Sequence, residues 1–199
     1  MTATHSPRRI VVLCGHPLKD SYCASLARAY AEGAREAGHE VRECHVADCQ
    51  FDPLLRHGYR ERQPLEPDLL RLQQDLVWAE HLVIAFPVWW GTPPALLKGL
   101  FDRLFLPGFA YQYTSRSSPF PKRLLAGRSA RILCTMDSPP WYYRLCIGAP
   151  GVRMMRRSLL GFCGYRPVRV SLIGSVRFSS PERRAAWSAA LRRLGSRCR

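Results

Sequence analysis

Five short runs, RIVVLC (9–14), HEVRECHV (39–46), HLVIAF (81–86), SARILCT (129–135) and PVRVSLIG (167–174), recur along the chain. Four are apolar and hold β-branched residues, as buried strands do; the second alternates. Stretches with helical spacing lie between them: SYCASLARAYAEGAREA (21–37), EPDLLRLQQDLVWAE (66–80), ALLKGLFDRLF (95–105) and PGVRMMRRSLLGF (150–162). A last one, SSPERRAAWSAALRRLGSR (179–197), closes the sequence. Asp20 or Ser21 can cap the first helix and Gly38 can end it. Leu69, Leu72, Leu76 and Val77 are expected to face the core. Ser180, Pro181 and Glu182 suit a helix start. Strict strand–helix alternation demands parallel pairing, because a parallel partner is reached only through a crossover. The expected architecture is α/β: a doubly wound, five-stranded parallel sheet in the order 2-1-3-4-5, with helices on both faces.

With 199 residues, 47% of them hydrophobic, the chain can build one substantial core. A single domain over 1–199 is expected, with 1–8 a flexible extension. The longest uncharged run, 82–97, carries three prolines and a glycine, too broken to span a membrane. At the amino end Arg8-Arg9 precede only IVVLCG, too brief for a leader's apolar centre, so a cytoplasmic location is expected. Eight cysteines show neither CxxC nor metal-type Cys/His spacing. Cys14, Cys134 and Cys163 lie in or beside apolar runs, where a thiol acts as a small hydrophobe. No metal site is expected. Charge is uneven: residues 1–100 hold 11 basic and 12 acidic residues, and 101–199 hold 19 and 3. The resulting nets of −1 and +16 sum to the overall +15. A basic half can attract phosphate groups, but no basic run exceeds two residues, which disfavours nucleic acid as a partner.

In open parallel sheets ligands bind beyond the carboxyl ends of the strands. Three loops should meet there. GHPLKDSYC (15–23) leads into a helix, whose first amides favour an anion; Ser21 and His16 add donors. It is either a phosphate loop or an ordinary capped turn, and it matches neither GxGxxG nor a Walker loop. PVWWGTPP (87–94) sets Trp89 and Trp90 in a proline-stiffened segment. The indoles either flank a flat heterocycle or serve as core or interface residues. TMDSPPWYYR (135–144) combines Thr135, Asp137 and Ser138 with Trp141, Tyr142 and Tyr143. A planar, phosphate-bearing cofactor would use all three loops, and flavin meets that description. The long connection 111–128 is expected to border a site or a subunit contact.

The segment 78–111, WAEHLVIAFPVWWGTPPALLKGLFDRLFLPGFAY, resembles the NAD(P)H:quinone oxidoreductases of the flavodoxin-like fold, the group of DT-diaphorase and the modulator-of-drug-activity proteins. HPLKDSYC, FDPLL, LLKGLFDR, PGFAY and GFCGY follow in that family's order, over roughly residues 9–195. The resemblance implies a flavin oxidoreductase, usually a homodimer, that passes hydride from NAD(P)H through FAD, or alternatively FMN, to a quinone or similar acceptor. By position, His16, Ser21, Tyr22 and Cys23 match the phosphate and ribityl loop. Pro87, Val88, Trp89, Trp90 and Gly91 match the segment along the isoalloxazine, and Thr135, Met136, Asp137 and Ser138 match its second loop. Trp89, Trp90, Tyr111, Tyr113 and Tyr143 match the substrate pocket, with Tyr111 and Tyr113 often supplied by the partner subunit. Tyr143 matches a tyrosine assigned to catalytic proton relay. Departures are Cys23 where many members have Asn, TMDSPP where mammalian members are glycine-rich, and RLCIGAPG (144–151) where a relay histidine is expected. Nitro or azo compounds are therefore acceptors to consider beside quinones.

Two readings of another class follow from the same resemblance. One is a non-catalytic or weakly catalytic regulatory subunit of a membrane transport system. The other is a flavodoxin-type electron carrier, which the strongly basic charge disfavours, because such carriers dock through an acidic face.

Overall fold

The computed structural model describes residues 6–115 and 119–198. Five strands form the main sheet: β1 (Arg9–Cys14), β2 (Glu40–His45), β3 (His81–Pro87), β6 (Ser129–Thr135) and β7 (Val168–Ile173). Every pairing is parallel, in the order β2-β1-β3-β6-β7, which is 2-1-3-4-5 when only these strands are counted. A two-stranded antiparallel ribbon, β4 (Tyr111–Gln112) with β5 (Lys122–Arg123), occupies the long connection. Residues 116–118 of that connection, and 1–5 of the expected amino-terminal extension, lie outside the described residues. Arg8 is tied down: its amide donates to His39 Nδ1 at 3.1 Å and its carbonyl accepts from Glu40 at 2.9 Å.

Strand residues alternate between two apolar cores. Ile10, Val12 and Cys14 pack with Leu26, Tyr30 and Ala34 of α1 (Tyr22–Glu36) and Leu191 of α6 (Pro181–Ser196). Val11 and Leu13 pack with Leu69, Leu72 and Leu76 of α2 (Pro67–Trp78) and Leu97, Leu100 and Leu104 of α3 (Ala95–Leu104). β3 is buried on both faces along its whole length, as expected of a central parallel strand. β2 is an edge strand that is half-exposed and rich in charge, which blunts edge-to-edge pairing. Val77, expected in the core, is 54% exposed: it lies one residue past the Leu69–Leu72–Leu76 stripe and so rotates to solvent. The expected helix over 150–162 begins as α5 (Pro150–Arg153) and continues as a π-helix over Met154–Gly161.

Two contacts lock this frame. The first is a fully buried cation. Arg103 Nη1 donates to Asp52 O at 2.6 Å and Glu66 Oε1 at 3.2 Å; Nη2 donates to Pro64 O at 2.7 Å and Glu66 Oε2 at 3.0 Å. It pins the connection between β2 and α2 onto α3. A cation without contact to water needs partners of this kind, here on both Nη groups, since an unpaired one would cost several kcal/mol, on the order of 3 or more. The second is the close crossing of α1 and α6. A Cβ at Gly33 would collide with the carbonyl of Arg192, and one at Gly195 with the carbonyl of Tyr30. Arg192 then reaches over α1 to Glu32, at 2.7 Å, and to Glu36.

Replacing Arg103 with Met should destabilise the protein by about 3 kcal/mol, because two carbonyls and a carboxylate lose their donor. Urea unfolding monitored by circular dichroism measures this. Gly195→Ala should cost about 1–3 kcal/mol by forcing α6 off α1, read in the same assay.

Candidate functional site at the carboxyl ends of the strands

Three loops leave the sheet at its carboxyl edge and are tied to one another. The Gly15 amide donates to Ala85 O at 2.7 Å, joining the loop after β1 to β3. The Val88 amide donates to Thr135 O at 2.7 Å, joining the loop after β3 to β6. Met136 donates to Ile173 O at 2.9 Å, joining β6 to β7.

In the first loop Ser21 caps α1, its Oγ accepting from the Ala24 amide at 3.2 Å. Among the described residues the amides of Tyr22 and Cys23 have no acceptor, as befits the first turn of a helix. His16 Nδ1 accepts from the Leu18 amide at 3.0 Å, which leaves the ring proton on Nε2. Burial lowers the His16 pKa below its ordinary value, favouring this neutral donor form at neutral pH. The side chains of Tyr22 and Cys23 point elsewhere. Tyr22 packs against Trp187, and its hydroxyl donates to Arg184 O at 3.3 Å. The Cys23 thiol is buried, and hydrogen bonding to Cys14 together with burial raises its pKa. Only their backbone groups are available to a ligand.

The second loop is a tight hairpin. The Trp89 amide donates to Thr92 O at 2.8 Å and the Thr92 amide to Trp89 O at 3.0 Å. Trp90 (φ 50°) and Gly91 (φ 82°) occupy its tip, both left-handed, as a two-residue reverse turn requires. Glycine takes that conformation freely, whereas tryptophan does so at a cost on the order of 1 kcal/mol or more. Neither indole is in the core. Trp89 is 45% exposed with its ring edge-on to His16 at 5.6 Å, and Trp90 is fully exposed. The amides of Trp90 and Gly91 have no acceptor among the described residues.

The third loop is fastened to the segment after β7. Asp137 Oδ1 accepts from the Arg177 amide at 3.1 Å, and Ser138 O from Ser175 at 3.2 Å. Thr135 and Met136 are buried. The alternative for this stretch, a helix capped at Ser138 with Pro139 in its first turn and packing aromatics after it, is met one residue later: the short helix α4 (Pro140–Leu145) starts after Pro139, presents Trp141 and Tyr142 to solvent and buries Tyr143 completely. The Tyr143 hydroxyl donates to Gly91 O at 2.9 Å, and burial raises its pKa. The Gly151 amide donates to the same carbonyl at 3.0 Å. Gly151 and Tyr143 therefore brace the hairpin from beneath. A Cβ at Gly151 would lie 2.8 Å from both Gly91 O and Thr92 Cα. That role for Gly151 is foreshadowed only by the glycines of IGAPG.

Tyr111 and Tyr113 are not brought to this place. Their rings meet each other at 5.9 Å, and Tyr111 meets Phe162 at 5.1 Å. Phe162 lies at the opposite end of the helical segment 150–162 from Gly151, a distance on the order of 15 Å.

A family model described as flavodoxin-like fold matches residues 8–198. NAD(P)H dehydrogenase [quinone] 1 of Rattus norvegicus is 25% identical over 203 residues, covering 89% of this chain and 72% of that protein. The solved NAD(P)H:quinone oxidoreductase from Methanothermobacter marburgensis superposes with a TM-score of 0.79 at 24% identity, covering 96% of each chain. An FMN-dependent NADH-azoreductase from Bacillus anthracis, in complex with FMN, superposes with a TM-score of 0.75 at 13% identity, covering 96% and 98%. The parallel order, the three tied loops and a match over nearly the whole chain agree: this chain belongs to the flavodoxin-like fold family.

Proposed function

We propose that this chain is a flavin-dependent oxidoreductase that takes hydride from NAD(P)H and delivers it to a quinone or similar acceptor. The observation that carries this reading is two sets of amides without an acceptor among the described residues, at Tyr22–Cys23 and at Trp90–Gly91, with the half-exposed Trp89 ring set edge-on to His16 of the first loop. The first set, with the Ser21 hydroxyl and His16 Nε2–H, suits a phosphate; the second suits the polar edge of a heterocycle whose face meets Trp89. These residues fit a flavin, FAD or FMN. The names of the relatives support the same chemistry, since NAD(P)H and quinone recur among them and FMN is bound in the azoreductase. Two apolar cores on opposite faces of the sheet agree with a doubly wound arrangement.

When bound, flavin would accept two electrons as hydride from the nicotinamide and yield them to the acceptor. The protein's part is positioning. Thr135 and Val88 hold two of the loops together. Trp90, Trp141 and Tyr142 supply an exposed aromatic surface for a flat acceptor. Tyr143 is read as a positioning residue, not as the proton relay that family position suggests, because its phenol is buried and committed to Gly91 O. Tyr111 and Tyr113 would close the pocket only from a second copy of the chain, which fits a homodimer.

The purified protein should absorb near about 450 nm and bleach when NADH or NADPH is added; chromatography of the heat-released compound separates FAD from FMN. A colourless protein that takes up neither flavin would overturn the proposal. Trp89→Ala should weaken flavin binding by up to about tenfold, the worth of one stacking contact, as measured by fluorescence titration. Tyr143→Phe should lower stability by about 1 kcal/mol and leave the pH profile of kcat unmoved; a displaced limb of that profile would restore the relay role.

A further inference from the structure

The opposite, amino-terminal edge of the sheet carries a second concave site. A cavity of about 280 Å³ is lined by residues from the starts of all five main strands: Arg8 before β1, His39 before β2, His81 opening β3, Ser129 opening β6 and Arg166 before β7. Arg169 of β7 and Arg197 after α6 complete the wall. Among the described residues, no Asp or Glu lines it. None of the four guanidiniums is paired with a carboxylate among the described residues.

Two histidines make this more than a basic patch. His39 and His81 are 5% and 2% exposed, and Nε2 of each is buried without a hydrogen-bond partner. His39 Nδ1 accepts from the Arg8 amide, so its Nε2 must carry the proton: it is a buried donor with no acceptor among the described residues. His81 Nδ1 pairs with Ser129 Oγ at 2.7 Å, and its ring stacks on Tyr30. That leaves its Nε2 as the second open position. Buried polar nitrogens of this kind are costly unless a ligand or water completes them. Burial, followed by the fields of Arg131, Arg169 and Arg8, holds the His81 pKa down to about 3, so the ring resists adding yet more positive charge. Arginines near the end of α6 partly offset its negative carboxyl pole, but that pole amounts to only about half a charge. Four guanidiniums exceed it.

We infer that this cavity binds a small oxyanion of the phosphate type, held by the Arg8, Arg166, Arg169 and Arg197 guanidiniums and accepting from His39 and His81. The volume lies just below the usual range of about 300–1,000 Å³ for organic ligands, which suits one phosphate group. Guanidinium forks match its geometry, and imidazole N–H donors complete it. The site is independent of the flavin reading, being built on the other edge of the sheet from other residues.

Equilibrium dialysis of the full chain against radiolabelled inorganic phosphate, at physiological chloride, tests this. One saturable equivalent is expected. The Arg8→Ala/Arg169→Ala double variant, both positions being exposed, should bind at least about tenfold more weakly. Ser21→Ala, which weakens any phosphate loop at the other edge, should bind as the parent does. In ¹⁵N spectra of the parent, the Nε2 resonances of His39 and His81 should shift along the same isotherm. AMP is the second arm: competition that persists in Ser21→Ala and is lost in the double variant shows that the group can belong to a phosphomonoester, and no competition shows that the cavity takes the free ion. No saturable binding, binding lost with Ser21→Ala but kept in the double variant, or unmoved Nε2 resonances would overturn the inference.

Discussion

Because all four pairings in the main sheet are parallel, every strand must be left by one edge and re-entered by the other. The loops therefore sort into two populations. Those after the strands gather Ser21, Trp89, Gly91 and Thr135 on one edge. Those before the strands gather Arg8, His39 and Arg166 on the other, with His81 and Ser129 opening their strands beside them. Residues scattered over more than a hundred positions become neighbours because polarity of the strands leaves them no other place. The two apolar cores follow as well, since each crossover helix must bury its stripe on one face or the other.

Within that frame the Trp hairpin is held from below, and its rigidity comes from a single carbonyl. Gly91 O accepts from the Tyr143 phenol and the Gly151 amide, two residues on different short helices. Both donors come from the segment after β6, so the loop after β3 cannot move without the loop after β6. The strain of a left-handed Trp90 is tolerated where this bracing surrounds it. The result is an exposed indole and two unpartnered amides presented in a fixed arrangement, which is what a flat polar ligand needs and what a packed core would not leave open.

The helix–strand rhythm was legible because each element carries its own local signal. SARILCT spans β6 end to end, and Ser21 and Ser180 cap where cap chemistry places them. The three loops of the candidate site were legible for the same reason: a strand end followed by a helix start marks a loop at the carboxyl edge. Side-chain direction was not. Tyr22, Cys23 and Tyr143 lie in the expected loops or beside them, yet each turns its side chain into packing. Val77 fits a helical stripe by count and misses it by one residue's rotation. The buried guanidinium of Arg103 reads in sequence as one more helix-surface charge, since nothing local reveals that Asp52, Pro64 and Glu66 close over it.

The sequence by itself determined the alternation, the parallel sheet and the edge at which the three candidate loops gather, because periodicity, caps and glycine–proline punctuation act over a few residues. Only the tertiary structure decided which groups on that edge remain without partners, that Tyr143 braces Gly91, and that His39 and His81 meet four arginines at the opposite edge. Those outcomes depend on contacts between residues tens to hundreds of positions apart, and hydrogen-bond satisfaction is a property of the assembled interior, which no local stretch of chain encodes.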